Sequence, residues 1–313
     1  MSTSGVDLLR FLTEVDGFPH LDANKADGWI AEQCPSKEPA ELWNTVCRQW
    51  LDLLAHRLGP SYRGVESHNF FLVADLELGR RDDLIQHAES CRDCLLSTLG
   101  AAASFAAPGK QVILAFGDLK RMYQFSVALF PKGTHGAFSG LYHRGTLPLI
   151  LVLDAPGVSS TLTHELLHAA VPHLDLPIWL EEGLAQSFEV DLGHGQPLLL
   201  TLEDARECRE FWHNCGLDPF WDGSGFGLPG DIQKQSYRLA WILARLLLDD
   251  AKPGFFGFGR DRQRRFIRFV ESAKRQDDGS AAYLQVYGHP LRELAQRFLG
   301  PTPPNNTDQQ SRS

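Results

Sequence analysis

The stretch "SSTLTHELLHAAVPHLDLPIWLEEGLAQSFEV", residues 159 to 190, holds the pattern His164-Glu165-Leu166-Leu167-His168 near its start. Ser159, Ser160 or Thr161 can cap a helix that runs until Pro172 stops it, and residues four apart share one face of such a helix. His164 and His168 therefore present two imidazoles one turn apart, as an ion taking nitrogen ligands about 2.0–2.1 Å away requires. Glu165 is one step round the helix from His164. It is badly placed to ligate the same ion and well placed to reach a water on it, taking a proton as that water attacks a carbonyl and returning it to the leaving amine. The plain alternative is a structural helix with two surface histidines. In a chain with 12 histidines the pattern alone is suggestive, and a third ligand in a compatible context has to decide.

Two candidates follow. His173 lies five residues after His168. The metzincin spacing wants a glycine and a third histidine where this chain has Val171 and Leu174, so that pattern fails and His173 reads as a loop residue. The second candidate is the helix that Pro177 starts. Trp179, Leu180, Leu184 and Phe188 form its packing side, and Glu182 and Gln186 stand one turn apart. A carboxylate on a second helix crossing the first completes a His2Glu set and leaves one position for water.

With both halves in view, "HELLHAAV…LPIWLEEGLAQSFE" resembles the gluzincin metallopeptidases, above all the peptidase MA-like bacterial proteins, in which a Trp-Leu-x-Glu-Gly-Leu-Ala stretch follows HExxH. The close likeness covers residues 164 to 190, and the order of elements extends it over 67 to 300. The resemblance implies that His164, His168 and Glu182 bind one Zn2+ ion and that Glu165 is the general base. Glu182, directly before the glycine, is the ligand on this likeness, and Glu181 is its neighbour. A strand just before the HExxH helix edges the cleft in gluzincins, and "GAFSGLYHRGTLPLILVLD" occupies that place. Backbone pairing along such an edge binds extended peptide with little sequence preference; the same run also fits an ordinary sheet edge. Tyr237, in "SYRLAWILARLLL", matches the tyrosine that stabilises the oxyanion in aminopeptidase N. Packing against Trp241 and Ala244 is its other reading, with His143 and Tyr142 the next donors.

The chain departs from the family in three ways. Thirteen residues separate His168 from Glu182, a shorter link than in thermolysin-like or aminopeptidase N-like enzymes. The Gly-x-Met-Glu-Asn motif that binds a free N-terminus is absent, so aminopeptidase action is not implied. Gln186 stands where thermolysin relatives carry an aspartate that supports a histidine ligand, and Glu189 is the nearest substitute.

The remainder of the chain sets the frame. It has 313 residues, with 43% hydrophobic and 22% charged side chains, ordinary for a folded globular protein. A net charge of −9 disfavours nucleic acid and anionic membranes as partners. No run is apolar enough to span a bilayer. "MSTSGVDLLRFLTEVDGF" does not read as a secretory signal, so the expectation for the six cysteines is reduced thiols in a cytoplasmic protein. Cys91-Arg92-Asp93-Cys94 has no second pair for a zinc knuckle. Cys91 falls on the apolar face of a helix with Leu84, Ala88, Leu95 and Leu99, and reads as core.

These patterns predict an α+β fold: a small twisted sheet lobe, the HExxH active-site helix and a mostly helical C-terminal lobe. Residues 1–66 read as an N-terminal helical segment, with Leu8, Leu9, Leu12 and Val15 at helical spacing and a second helix through Trp43, Val46, Trp50, Leu54 and Leu58. Residues 67–190 read as the sheet lobe, with strands at "NFFLVADLEL", "QVILAF" and "LPLILVLD" and a helix at "RRDDLIQHAESCRDCLLSTLG", together with the active-site and third-ligand helices. Further on, "YRLAWILARLLLDD", "RQRRFIRFVESAKR" and "PLRELAQRFLG" show helical spacing. Residues 191–300 read as the helical lobe, with breaks at Lys252-Pro253-Gly254 and Asp277-Asp278-Gly279, and 301–313 as a disordered tail. The functional expectation is a zinc metallopeptidase acting on peptide or protein. The alternatives are a catalytically inactive gluzincin-fold binding protein and a helical protein in which HELLH is chance.

Overall fold

Three apolar runs, FFLVA, QVILAF and LILVL, form the centre of a five-stranded sheet in the computed structural model, which describes residues 8–33, 38–129, 139–193, 200–251 and 260–300. The described residues fall into two compact units, one within 1–98, 103–173 and 191–195, the other within 99–102, 174–190 and 196–313.

The first unit opens with a 3-10 turn, Leu8–Phe11, and a hairpin of β1 (Leu12–Val15) and β2 (Phe18–Leu21). Helices α1 (Ala23–Gln33) and α2 (Pro39–Leu58) follow, then β3 (Arg63–Glu66), β4 (Phe70–Ala74), α3 (Leu78–Leu99), β5 (Gln111–Phe116) and α4 (Leu119–Leu129). It closes with β6 (Gly140–His143), β7 (Leu149–Leu153) and α5 (Val158–Ala170). The large sheet runs β3-β4-β5-β7-β6. Strands β4, β5 and β7 are parallel, and the edges β3 and β6 are antiparallel to their neighbours. Central parallel strands are covered on both faces and therefore read as unbroken apolar runs rather than alternating ones. On one face Phe71, Val73, Val112, Leu114, Phe116, Leu149 and Leu151 join Trp43, Val46, Trp50 and Leu54 of α2, Met122 and Phe125 of α4, and Phe18 and Leu21 of β2. Helix α5 packs against β6 and β7.

The second unit is helical: α6 (Ile178–Leu192), α7 (Leu202–Cys215), α8 (Asp218–Trp221), α9 (Ser224–Gly227), α10 (Asp231–Ala251), α11 (Arg260–Ser272), α12 (Ser280–Tyr287) and α13 (Leu291–Leu299). Its interior is aromatic, with Trp179, Trp212, Phe220, Trp221 and Phe226 in successive ring contacts. Thr201 and Asp204 form a capping box at the start of α7, and Arg238 of α10 bonds to Asp204 and Glu207. Gly183 fixes how closely α6 meets α10. A Cβ there would overlap the Ala240 carbonyl oxygen and come within 2.7 Å of its carbon.

Two sequence readings are corrected. Residues 12–21 form a hairpin, not a helix. Asp16 and Gly17 turn it with φ of 50° and 82°, the left-handed pair that a tight two-residue hairpin demands. Helix α5 begins after Gly157, in the left-handed region at φ 90°, and has no side-chain cap, although Ser159, Ser160 and Thr161 are good capping residues. The Asp154–Gly157 turn feeds directly into the helix, with the Val158 amide donating to Ala155 O and the Thr161 amide to Gly157 O. The Ser160 hydroxyl instead donates to Gly193 O at 2.7 Å. Residues 1–7, Cys34, residues 136–138 of the expected edge run, the Lys252-Pro253-Gly254 break and the 301–313 tail lie outside the described residues.

Candidate metal centre

The centre is built on α5, which is held on several sides. Leu162, Leu166, Leu167 and Ala170 are fully buried. The Thr163 hydroxyl donates to Ser159 O at 2.8 Å. His87 Nε2 of α3 lies 2.9 Å from Thr163 Oγ1 and 3.1 Å from Ser159 O, and Cys91 Sγ lies 3.3 Å from the same hydroxyl. The Ser104 amide donates to Ala170 O at 2.6 Å and closes the C-terminal end. With these contacts the helix has little freedom to rotate, which fixes the direction of the next side chain, His164.

The rings of His164 and His168 stand 5.0 Å apart, one turn along the helix. Each offers a ring nitrogen, Glu182 offers a carboxylate oxygen, and these ligand atoms lie within 4.8 Å of one another, all three side chains being partly buried. Ligands on one tetrahedral ion stand roughly 3.4 Å apart, inside that limit. Two imidazoles and one carboxylate are a donor set suited to zinc, with one position over for water. Among the described residues this is the one such group of His, Cys, Asp and Glu.

The choice between Glu181 and Glu182 has a physical basis. Trp179 is buried and its indole N–H donates to Asp278 O at 2.9 Å. The Arg275 amide donates to Asp175 O, and its guanidinium to Leu176 O at 3.0 Å. These bonds fix the rotation of α6 at its start. Glu181 then faces Arg275, 3.4 Å away, and Glu182, one step on, joins the histidines. His173 is exposed in the connection and outside the group.

Glu165 is 8% exposed. It faces the edge strand β6: a Cβ built on Gly140 would stand 2.6 Å from Glu165 Oε1 and 2.5 Å from Thr161 Cγ2. Successive side chains leave a strand on opposite faces, so Tyr142 shares the α5 side with Gly140. Leu141 and His143 turn the other way, where Leu141 packs on the core and His143 lines a cavity with His20, Asp22 and Trp50. Burial lowers the His143 imidazole below its ordinary pKa. Of these two residues, Tyr142 lies on the face of Glu165 and His143 on the opposite one. Tyr237 lies on α10, its ring 5.2 Å from Phe226 and edge-on to it, three residues before the Ala240 that meets Gly183. Gln186, one turn after Glu182, has a buried Oε1 without a partner.

Cys91 is 1% exposed, and burial pushes its thiol up to about 11, which suits packing and not redox chemistry. Neither the role of Gly140 nor the His87–Thr163 contact was visible in the sequence pattern. Both depend on which strand and which helix face α5, and one chain's periodicity does not encode that. No family model matches the chain, and no curated protein matches it. Among the described residues no helix is long and apolar enough to cross a membrane.

Proposed function

We propose that the chain is a zinc-dependent metallopeptidase of the gluzincin kind, acting on peptides or proteins in the cytoplasm. The observation that carries this reading is the convergence of His164, His168 and Glu182, with Glu165 next to His164 and against an edge strand. His164, His168 and Glu182 would hold the ion. When bound, zinc supplies Lewis acidity, lowering the pKa of a water to about 7 and polarising the scissile carbonyl.

The protein's own groups do the remaining work. The outer edge of β6 has no strand paired to it among the described residues, and its free backbone groups can pair with an extended peptide. Glu165 takes the proton of the attacking water and delivers it to the leaving nitrogen, so that no net proton is lost across the step. Its burial keeps bulk water from competing as the proton acceptor. The phenol of Tyr237 donates to the oxyanion. The contact between Gly183 and Ala240 supports this role, because it joins α10 near Tyr237 to α6 next to Glu182.

The test is turnover of a mixed peptide library alongside metal content, for the wild type and Glu165→Gln. The variant should keep the wild-type metal content, because Glu165 is not a ligand, and lose at least about 100-fold in rate, the lower range for general acid–base catalysis. Stoichiometric metal without cleavage in the wild type would favour a binding protein over an enzyme.

A further inference from the structure

The pairing of β6 and the setting of α5 leave one narrow contact between them. Gly140 pairs with Val152, and the Leu153 amide donates to Ser139 O at 2.8 Å just before it. The strand therefore cannot retreat without breaking its ladder with β7. Helix α5 is held by the bonds to Ser160, Thr163 and Ala170 described above. Between these two fixed backbones stand the side chains of Thr161 and Glu165, filling the volume that a Cβ at residue 140 would take.

We propose that Gly140 is a positioning residue for Glu165: the bare strand backbone is the wall against which the carboxylate is seated, and any side chain at 140 displaces it. The inference rests on the reading of Glu165 as the general base. A methyl at 140 would overlap both Oε1 of Glu165 and Cγ2 of Thr161, at 2.6 and 2.5 Å. Thr161 is β-branched and stiff at χ1. Glu165 has more rotatable bonds, so its carboxylate takes up the displacement, by most of an ångström. A misplacement of about 1 Å can cost roughly 100-fold in rate without any change in what binds. The edge strand thus has two duties on its two borders: its open backbone can align substrate, and its glycine sets where the base stands relative to that substrate.

The experiment compares Gly140→Ala, Thr161→Ser, their double variant, Glu165→Gln, and Gly140→Ala combined with Glu165→Gln, all in the full-length chain. Metal per chain, melting midpoint, kcat and KM are measured for each. Gly140→Ala should keep its metal and a KM within about 3-fold, and lose about 10- to 100-fold in kcat. Thr161→Ser removes the Cγ2 methyl, so the double variant restores room on that side and folds even if the single one does not; its kcat should stay low. Gly140→Ala should subtract nothing further from the residual rate of Glu165→Gln, while lowering its melting midpoint as it does in the wild type. Wild-type kcat in Gly140→Ala, full recovery of kcat in the double variant, or an equal fold-loss in the Glu165→Gln background would each overturn the proposal. If Glu165→Gln itself turns over at the wild-type rate, the reading of Glu165 as the base fails. If Glu165→Gln is inactive and Gly140→Ala is not, the base stands and the positioning role alone fails.

Discussion

At the scale of single residues, chemistry follows from which of two neighbours points where. Glu181 and Glu182 are identical in type, yet the pinning of α6 by Trp179 and Arg275 gives the first to an arginine and the second to the histidines. Exchanging their roles is not a matter of rotamers, since neighbours on a helix stand about 100° apart round its axis. Glu182→Gln should therefore weaken metal binding, while Glu181→Gln should leave it unchanged; equal loss in both, measured by metal titration, would undo the assignment. Tyr237→Phe removes one hydroxyl and almost no volume. Metal content and melting midpoint should hold, and turnover should fall roughly 10- to 1000-fold, bounded above by the loss of one oxyanion donor. An unchanged rate would move the donor's role to Tyr142, which shares the Glu165 side of β6. The three residues that converge were legible in the sequence because two of them follow helical spacing and the third precedes a glycine in a quoted motif. Gly140 was not legible, because its meaning lies in a register between β6 and β7 that one chain's pattern does not encode.

At the scale of elements, close approach is the controlling quantity. Gly183 sits where α6 meets the backbone of α10, and a methyl there would collide with the Ala240 carbonyl and reach Ala244 Cβ at 3.0 Å. Backbone cannot rotate aside as a side chain can. Gly183→Ala should therefore destabilise the fold by about 1–3 kcal/mol, the usual cost of overpacking, against the slight gain that alanine brings to an ordinary helix position. Denaturant unfolding measures the sign: a stabilised variant would show that the helices have room. The strands β4, β5 and β7 and the helices α2, α3, α10, α11 and α13 were legible because each is long or strongly patterned. The β1–β2 hairpin was not. Leu8, Leu9, Leu12 and Val15 satisfy helical spacing over strands of four residues each, too short for alternation to compete. Asp16-Gly17 was the decisive signal, since that pair accepts the positive φ of a tight turn, and it outweighs spacing in so short a stretch. The start of α5 was misplaced for a related reason: a glycine in the left-handed region began the helix, leaving the serines inside it for other bonds.

At the scale of the whole molecule, buried ionisable groups set the pH range of the fold. Burial pushes the thiols of Cys47 and Cys208 up to about 12 and that of Cys91 to about 11, from an ordinary 9.0. Between those values the folded chain keeps protons that the unfolded chain releases. Stability is therefore whole below about pH 9 and falls as pH rises beyond it. Melting midpoints taken from pH 7 to 11 should decline above 9; a flat profile there would show these thiols to be solvated. Among the described residues the proposed metal function rests on one cluster of three side chains, and its most direct measurement needs no substrate. Purified protein, dialysed against trace zinc, is analysed for metal per chain beside His164→Ala. The expected result is about one zinc per wild-type chain and a large loss in the variant, with folding unchanged by circular dichroism. A wild-type chain without bound metal, or a His164→Ala variant that keeps a full equivalent, would contradict the assignment of His164, His168 and Glu182 as the ligands.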